Sequence, residues 1–355
     1  MKTQDMTLKT RVQDFWAWFT ENRKQLERAL DERKAEKAAG MVGAQLERLA
    51  LPILCEAGIS SEGRYVLSMS PCGDKTRQFV SRYWAQMAPR TKKWTIRAFR
   101  RPDVVRTEEL SALFHQECKP DAYVIYCQTD EGEQKYHVHI VSEELASFGV
   151  GRVPMCRMMF YLLLGEAYTD VYVGKIRCTA KVPDPVPKGQ KMTLTEFCTM
   201  VRETPSQKPW ACVMDPTSLC FGYQHEEHDG DGMREDIYGG FTRHMRLLKE
   251  PCNETAALIQ MGGVYCYLYY EPKQRAPQQA AMEQAELTGR LERLLDEYRL
   301  GYVVGSAQGT DYCYIDLMIA DEPAFRALFR DLPWMLDAPL YLEYFGRSPN
   351  GEYIQ

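Results

Sequence analysis

Val264-Tyr265-Cys266-Tyr267-Leu268-Tyr269-Tyr270 opens the most regular part of the chain, and the order of the elements after it decides the fold. The stretch has no glycine, proline or charge and is rich in aromatic and branched residues, so it reads as a strand. From Gln279 to Leu300, Leu287, Leu291, Leu294, Leu295 and Tyr298 recur at helical spacing, and Gly301 stands where a helix is stopped. Tyr302–Ser306 and Tyr312–Ile319 are strand-like, Asp321 begins a helix over Pro323–Phe329, and Leu340–Tyr344 is the last strand. The order is β-α-β-β-α-β, the split motif of ferredoxin-like domains, running from 263 to 345.

Working backward, Arg64–Met69, Asp74–Met87, Trp94–Phe99, Ala122–Cys127, Tyr136–Val141, Val153–Leu164 and Val171–Cys178 alternate between strand and helix patterns in nearly the same order. The expected class is therefore α+β, with two ferredoxin-like units behind an N-terminal helix. That helix is read from Lys9 to Ala39, with Val12, Phe15, Trp16, Phe19, Leu26 and Leu30 as one apolar stripe. Val153–Leu164 is apolar nearly all round and so is expected at a core. Thr193-Leu194-Thr195-Glu196 is a capping box that starts another helix, and an apolar strand is expected near Ala211–Phe221. Pro205 and Pro209 mark the expected linker, 205–209, between a first domain (1–204) and a second (210–355).

A length of 355 residues suits two domains, and 45% hydrophobic content suits well-packed ones. No apolar run approaches the roughly 18 residues that span a bilayer. The first residues lack the apolar centre of a signal peptide, and the twelve cysteines are scattered without C-x-x-C spacing. They are expected to be reduced in a cytoplasmic protein. The net charge of −5 is unevenly spread. Residues 210–355 carry 12 basic and 23 acidic side chains, a balance of −11, and residues 1–209 carry +6. Lys75–Arg106 alone holds ten basic residues and one acid, Asp103. Fields of opposite sign either meet each other or meet different partners.

Phe15-Trp16-Ala17-Trp18-Phe19 and Trp94-Thr95-Ile96-Arg97-Ala98-Phe99-Arg100-Arg101-Pro102 resemble a group of uncharacterised bacterial proteins with the same two patterns in the same order. The likeness covers about residues 14–102. It implies a bacterial cytoplasmic origin and brings no assigned activity and no functional residue.

The most site-like segment is Tyr223 to His244, with three histidines and six carboxylates. His225, His228, Asp229 and Asp231 are of the types that hold zinc or manganese. Spacing is against two familiar forms. H-E-x-x-H fails because Asp229 occupies the fifth position, and a calcium loop begun at Asp229 has Arg234 and Gly240 where Gly and Glu are required. His137-Val138-His139 puts two imidazoles on one strand face, where Cys127 joins them only in one register. Tyr265, Tyr267 and Tyr269 share one strand face and Tyr312 and Tyr314 another, as in sheets that stack bases, but the acidic surroundings repel phosphate. The chain has neither a phosphate-loop spacing nor a G-x-S-x-G elbow.

The expected function is a regulatory or toxin-neutralising (immunity-type) role through binding another protein, a basic one where charge decides, with no cofactor and no membrane. Glu226, Glu227, Arg234, Asp236, Tyr267, Tyr312 and Tyr314 are the expected contact residues. Two alternatives stand beside it. One is a metal-dependent hydrolase built on the 225–231 cluster. The other is a nucleic-acid binder built on 75–106, less expected because those basic positions are split between a helix and a strand.

Overall fold

A computed structural model describes residues 5–101, 119, 122–224, 234–273, 276–331 and 339–346. The protein is mixed α+β with an N-terminal helix and several sheets. It divides into two compact units. One holds residues 1–53, 83–92 and 220–355, and the other residues 54–82 and 93–219. Among the described residues, no helix is long and apolar enough to cross a membrane.

The chain starts with α1 (Leu8–Asp31) and α2 (Ala35–Arg48). The expected single helix is broken at Arg33, whose φ of 58° turns the chain. The predicted stripe of α1 is buried, and Trp16 and Phe15 pack on Trp84 with ring centroids 4.5 and 5.3 Å away. Arg11 lies in the same unit, 2% exposed, and its guanidinium donates to the carbonyls of Leu49, Ala50 and Gln260. A charge so deeply buried persists because these carbonyls replace its water.

Next come β1 (Leu54–Ile59), β2 (Tyr65–Ser70), α3 (Lys75–Gln86) and β3 (Trp94–Arg97). β2 lies central, antiparallel to β1 and parallel to β3. A second sheet of this unit is formed by β4 (Val124–Asp130), β5 (Lys135–Val141), β6 (Val173–Thr179) and β7 (Gln190–Thr193), in the order β6-β5-β4-β7. Its core is covered by α4 (Arg152–Tyr172) and α5 (Leu194–Gln207), which contribute Phe160, Leu164, Phe197 and Val201. The capping box at Thr193 and Glu196 is present. The strands from Arg64 to Cys178 are thus divided between two sheets, because β3 pairs with β2 while β4 pairs with β5 and β7. Pro205 falls in the last turn of α5, and the change of unit comes at Leu219/Cys220. Residues 211–220 contain a short 3-10 turn at Pro216–Ser218 in place of a strand.

The remainder contains β8 (Phe221–Gln224), β9 (Ile237–Thr242), α6 (Met245–Lys249), α7 (Pro251–Gln260), β10 (Val264–Tyr270), α8 (Pro277–Glu297), β11 (Gly301–Gly309), β12 (Cys313–Ile319), α9 (Glu322–Phe329) and β13 (Tyr341–Tyr344). One six-stranded antiparallel sheet runs β13-β10-β12-β11-β9-β8. Leu287, Leu291 and Leu295 of α8 pack on Cys266, Leu268, Ile315 and Leu317. The left-handed residue that ends α8 is Arg299 (φ 53°), two positions before the expected glycine. Gly301 is needed for another reason: at φ 149° its backbone lies on the Met318 carbonyl, where a Cβ has no room.

Candidate functional site

The six-stranded sheet has two faces of different chemistry. On the face away from α8, Tyr267, Asp316 and Gly305 lie side by side across three strands, and so do Tyr269, Tyr314 and Ala307. Arg234, just before β9, reaches over the first row. Its guanidinium forms a two-pronged pair with Asp316, Nη1 to Oδ1 at 2.6 Å and Nη2 to Oδ2 at 3.2 Å. The rings of Tyr267, Tyr314 and Phe345 surround the same cation at 4.8, 5.2 and 4.9 Å. Asp316 is 1% exposed, so its charge depends on this pairing.

Asp236 completes the group. Its Oδ1 accepts the Tyr314 hydroxyl at 2.5 Å, and its Oδ2 accepts the backbone N–H groups of Asp311 and Tyr312, each at 3.2 Å. Burial first, then the hydrogen bond to Asp236, pushes the Tyr314 phenol well above its ordinary pKa. Four of the expected contact residues, Arg234, Asp236, Tyr267 and Tyr314, therefore meet one another and are occupied with one another. Tyr312 instead packs edge-on against Tyr269 at 5.3 Å, and Tyr269 stacks on the half-exposed Tyr341. The candidates His225, Glu226, Glu227, His228, Asp229 and Asp231 lie outside the described residues.

The face toward α8 is covered only in part. The helix core lies over β10, β12 and β11, while β9 and β8 carry the sheet onward. Between these outer strands and α8 is an open cavity of about 620 Å³, bordered by Gln224, Phe241, Gln284, Ser306 and Gln308. Small residues make the room: Gly222 and Gly239 on the strands, Ala281 and Ala285 on the helix. Among the described residues, none that lines it is charged. Gln284, 6% exposed, spends its Nε2 on the carbonyls of Ala307 (2.7 Å) and Tyr314 (2.9 Å). Its Oε1 accepts no hydrogen bond among the described residues. The Gln308 Oε1 accepts from Tyr238, which leaves the Gln308 amide as a donor. Beside the cavity, β8 is an edge strand; Phe241, at the cavity rim, is 62% exposed, and Phe221, on the opposite face of the sheet, is 42% exposed.

No family model, curated protein or solved structure matches the chain. Its chemistry therefore rests on its own geometry.

Two polar clusters lie in the unit of residues 54–82 and 93–219. His137 Nε2 is 3.6 Å from both Asp130 and Glu133, the one group of metal-ligand types among the described residues. The His137 Nδ1 accepts the Lys175 backbone N–H at 3.0 Å, which puts the ring proton on Nε2, toward the carboxylates. A metal needs the lone pair that this tautomer has used, so the cluster as folded turns an N–H, not a ligand atom, toward its two carboxylates. His139 is engaged with Thr179 at 3.0 Å. Cys127 pairs with Val138 in the ladder, which sends it to the core face, away from both histidines.

The second cluster was not anticipated from the sequence. Glu166 of α4 is fully buried, and its two oxygens accept the backbone N–H groups of Cys72 (3.1 Å) and Gly73 (3.0 Å). Both residues have positive φ, so the loop between β2 and α3 forms a concave set of donors, an arrangement suited to anions. Burial and then the nearby Asp170 push the Glu166 carboxyl up to about 8. The available signals were two acids, Glu166 and Asp170, in a largely apolar helix and the strand-loop-helix run Ser70-Pro71-Cys72-Gly73-Asp74.

Proposed function

We propose that the protein acts by binding another protein, and that the partner is received at the β8 edge of the six-stranded sheet. The observation that carries this reading is the coincidence of an edge strand, the exposed phenyl ring of Phe241 and a cavity beside it whose described lining carries no charge. A strand lying along β8 would pair with its outward backbone groups, and alternate side chains would enter the cavity. The acidic balance of residues 210–355 favours a basic partner and speeds its encounter. A regulatory or toxin-neutralising role in the cytoplasm agrees with these features.

We also read β13, β10, β12 and β11, with α8 and α9, as a ferredoxin-like unit. Its support is the antiparallel order fourth-first-third-second among those four strands, with β9 and β8 as an extension that carries the binding edge. In the test, a photo-crosslinking residue is placed at Phe241 in cells, with Ala327 on α9 as the control position. A discrete adduct with a basic protein at Phe241, absent at Ala327 and abolished by Gly222→Pro, supports the proposal. Equal adducts at both positions, or none at Phe241, would overturn it.

A further inference from the structure

Cys127, Cys156, Cys178 and Cys198 lie in or against the core under the β6-β5-β4-β7 sheet, and two of them meet. Cys156, in the second turn of α4, is fully buried. Cys178, on the edge strand β6, is half-buried and packs against the same core. The register sets its direction. Cys178 stands opposite Ile140 of β5, a core residue with no exposure, so its side chain points inward to the layer that α4 fills. There the two thiols are hydrogen-bond partners, the Cys156 S–H donating to the Cys178 sulfur. Arg152, one turn before Cys156, acts on the same sulfur, and its Nε donates to the Leu145 carbonyl at 2.9 Å. Cys127 and Cys198 differ. Their charged neighbours are Lys208 and Arg202, and among the described residues neither has a thiol beside it.

We propose that Cys156 and Cys178 are a redox pair, which hydrogen peroxide joins as a disulfide and low-molecular-weight thiols release. Cys178 reacts first, because it is the more exposed of the two. Burial raises the pKa of both thiols, but the Cys156 S–H and the Arg152 charge act the other way on Cys178 alone, so it is the one that ionises. The Cys178 thiolate attacks one peroxide oxygen, the O–O bond breaks, and hydroxide leaves to take up the thiol's proton, giving a sulfenic acid. The Cys156 sulfur then attacks the Cys178 sulfur. The S–O bond breaks, and the departing hydroxide leaves as water with the Cys156 proton. Two thiols and one peroxide become one disulfide and two waters, with two electrons passing from sulfur to oxygen. The link ties the edge strand β6 to α4. In a reducing compartment such a bond is transient and reports oxidant. The pair lies within the unit of residues 54–82 and 93–219, so it stands whether or not a partner binds at β8.

The test treats the reduced full chain with hydrogen peroxide, alkylates the remaining thiols in denaturant, and maps tryptic peptides by mass spectrometry. Residues 153–157 and 178–181 should appear as one linked species, which dithiothreitol separates. It should form at least about tenfold faster than Cys198 is oxidised, since Cys198 is buried with no second thiol beside it. In Cys156→Ala, dimedone should trap a sulfenic acid on Cys178. In Cys178→Ala, Cys156 should stay reduced. Should either variant fail to fold, the peptide map of the parent chain decides alone. Both cysteines still reduced after Cys198 has reacted, a link from either one to a different cysteine, or undiminished oxidation of Cys156 in Cys178→Ala would overturn the proposal.

Discussion

Arg234 and Asp316 share two hydrogen bonds in the interior, with three aromatic rings around the cation. Removing one partner leaves the other charged and buried, which typically lowers stability by roughly 3–5 kcal/mol. Asp316→Asn and Arg234→Ala should each reduce the unfolding free energy by that order in urea titrations. Arg234→Met with Asp316→Leu should recover much of it. A loss below about 1 kcal/mol in both single variants would show that water reaches the pair.

Glu166 makes stability depend on pH in a definite direction. Its folded pKa is raised from the ordinary 4.5 to about 8, so between those values the folded state holds a proton the unfolded state has released. This contribution is fully present below about pH 4.5 and is lost as pH rises to about 8, at roughly 1.4 kcal/mol per pH unit in the steep part. Glu166→Gln should flatten the unfolding profile between pH 5 and 8. An equally steep decline in that variant would assign the effect to other groups.

Gln284 holds two carbonyls of adjacent strands. Gln284→Ala leaves both without their side-chain donor and enlarges the cavity, and it should lower stability by about 1–3 kcal/mol. Hydrogen exchange should quicken first in β11 and β12. A variant as stable as the parent, with unchanged exchange, would mean that water replaces the amide freely.

The His137 cluster should not hold stoichiometric zinc, since its Nε2 carries the proton. Elemental analysis of the purified protein checks this. One zinc per chain lost in His137→Ala would reverse the assignment of the tautomer. Zinc that survives His137→Ala and is lost in His225→Ala with His228→Ala would instead favour the metal-dependent hydrolase.

Cysteine labelling should follow burial. The eleven described cysteines are free, and among them Cys212, Cys220 and Cys252 are exposed. Burial pushes the thiols of Cys55 and Cys198 up to about 12, so they stay protonated at pH 7.5. Exposed positions should alkylate at least tenfold faster in the native protein. Rapid labelling of Cys198 without denaturant would mean that α5 opens locally.

Periodicity alone determined the elements whose burial is one-sided. Val12, Phe15 and Phe19 could only be the inner stripe of a helix, and β10-α8-β11-β12-α9-β13 comes from alternating periods of 2 and 3.6. Each is a local pattern that no distant residue needs to complete. Pairing between strands was another matter. Whether β3 joined β2 or a longer sheet depended on registers set by side chains far apart in sequence, and one slip would have sent Cys127 to the side of His137. The candidate residues divide in the same way. Arg234, Asp236, Tyr267 and Tyr314 were legible by residue type, yet only the tertiary fold decided that they satisfy one another. Burial makes an unpaired charge too unfavourable to leave alone, so the partner comes from wherever the sheet brings one. Glu166 with its backbone donors and the cavity beside β8 left almost no trace in the sequence. Each is made by segments that become neighbours only when the chain folds.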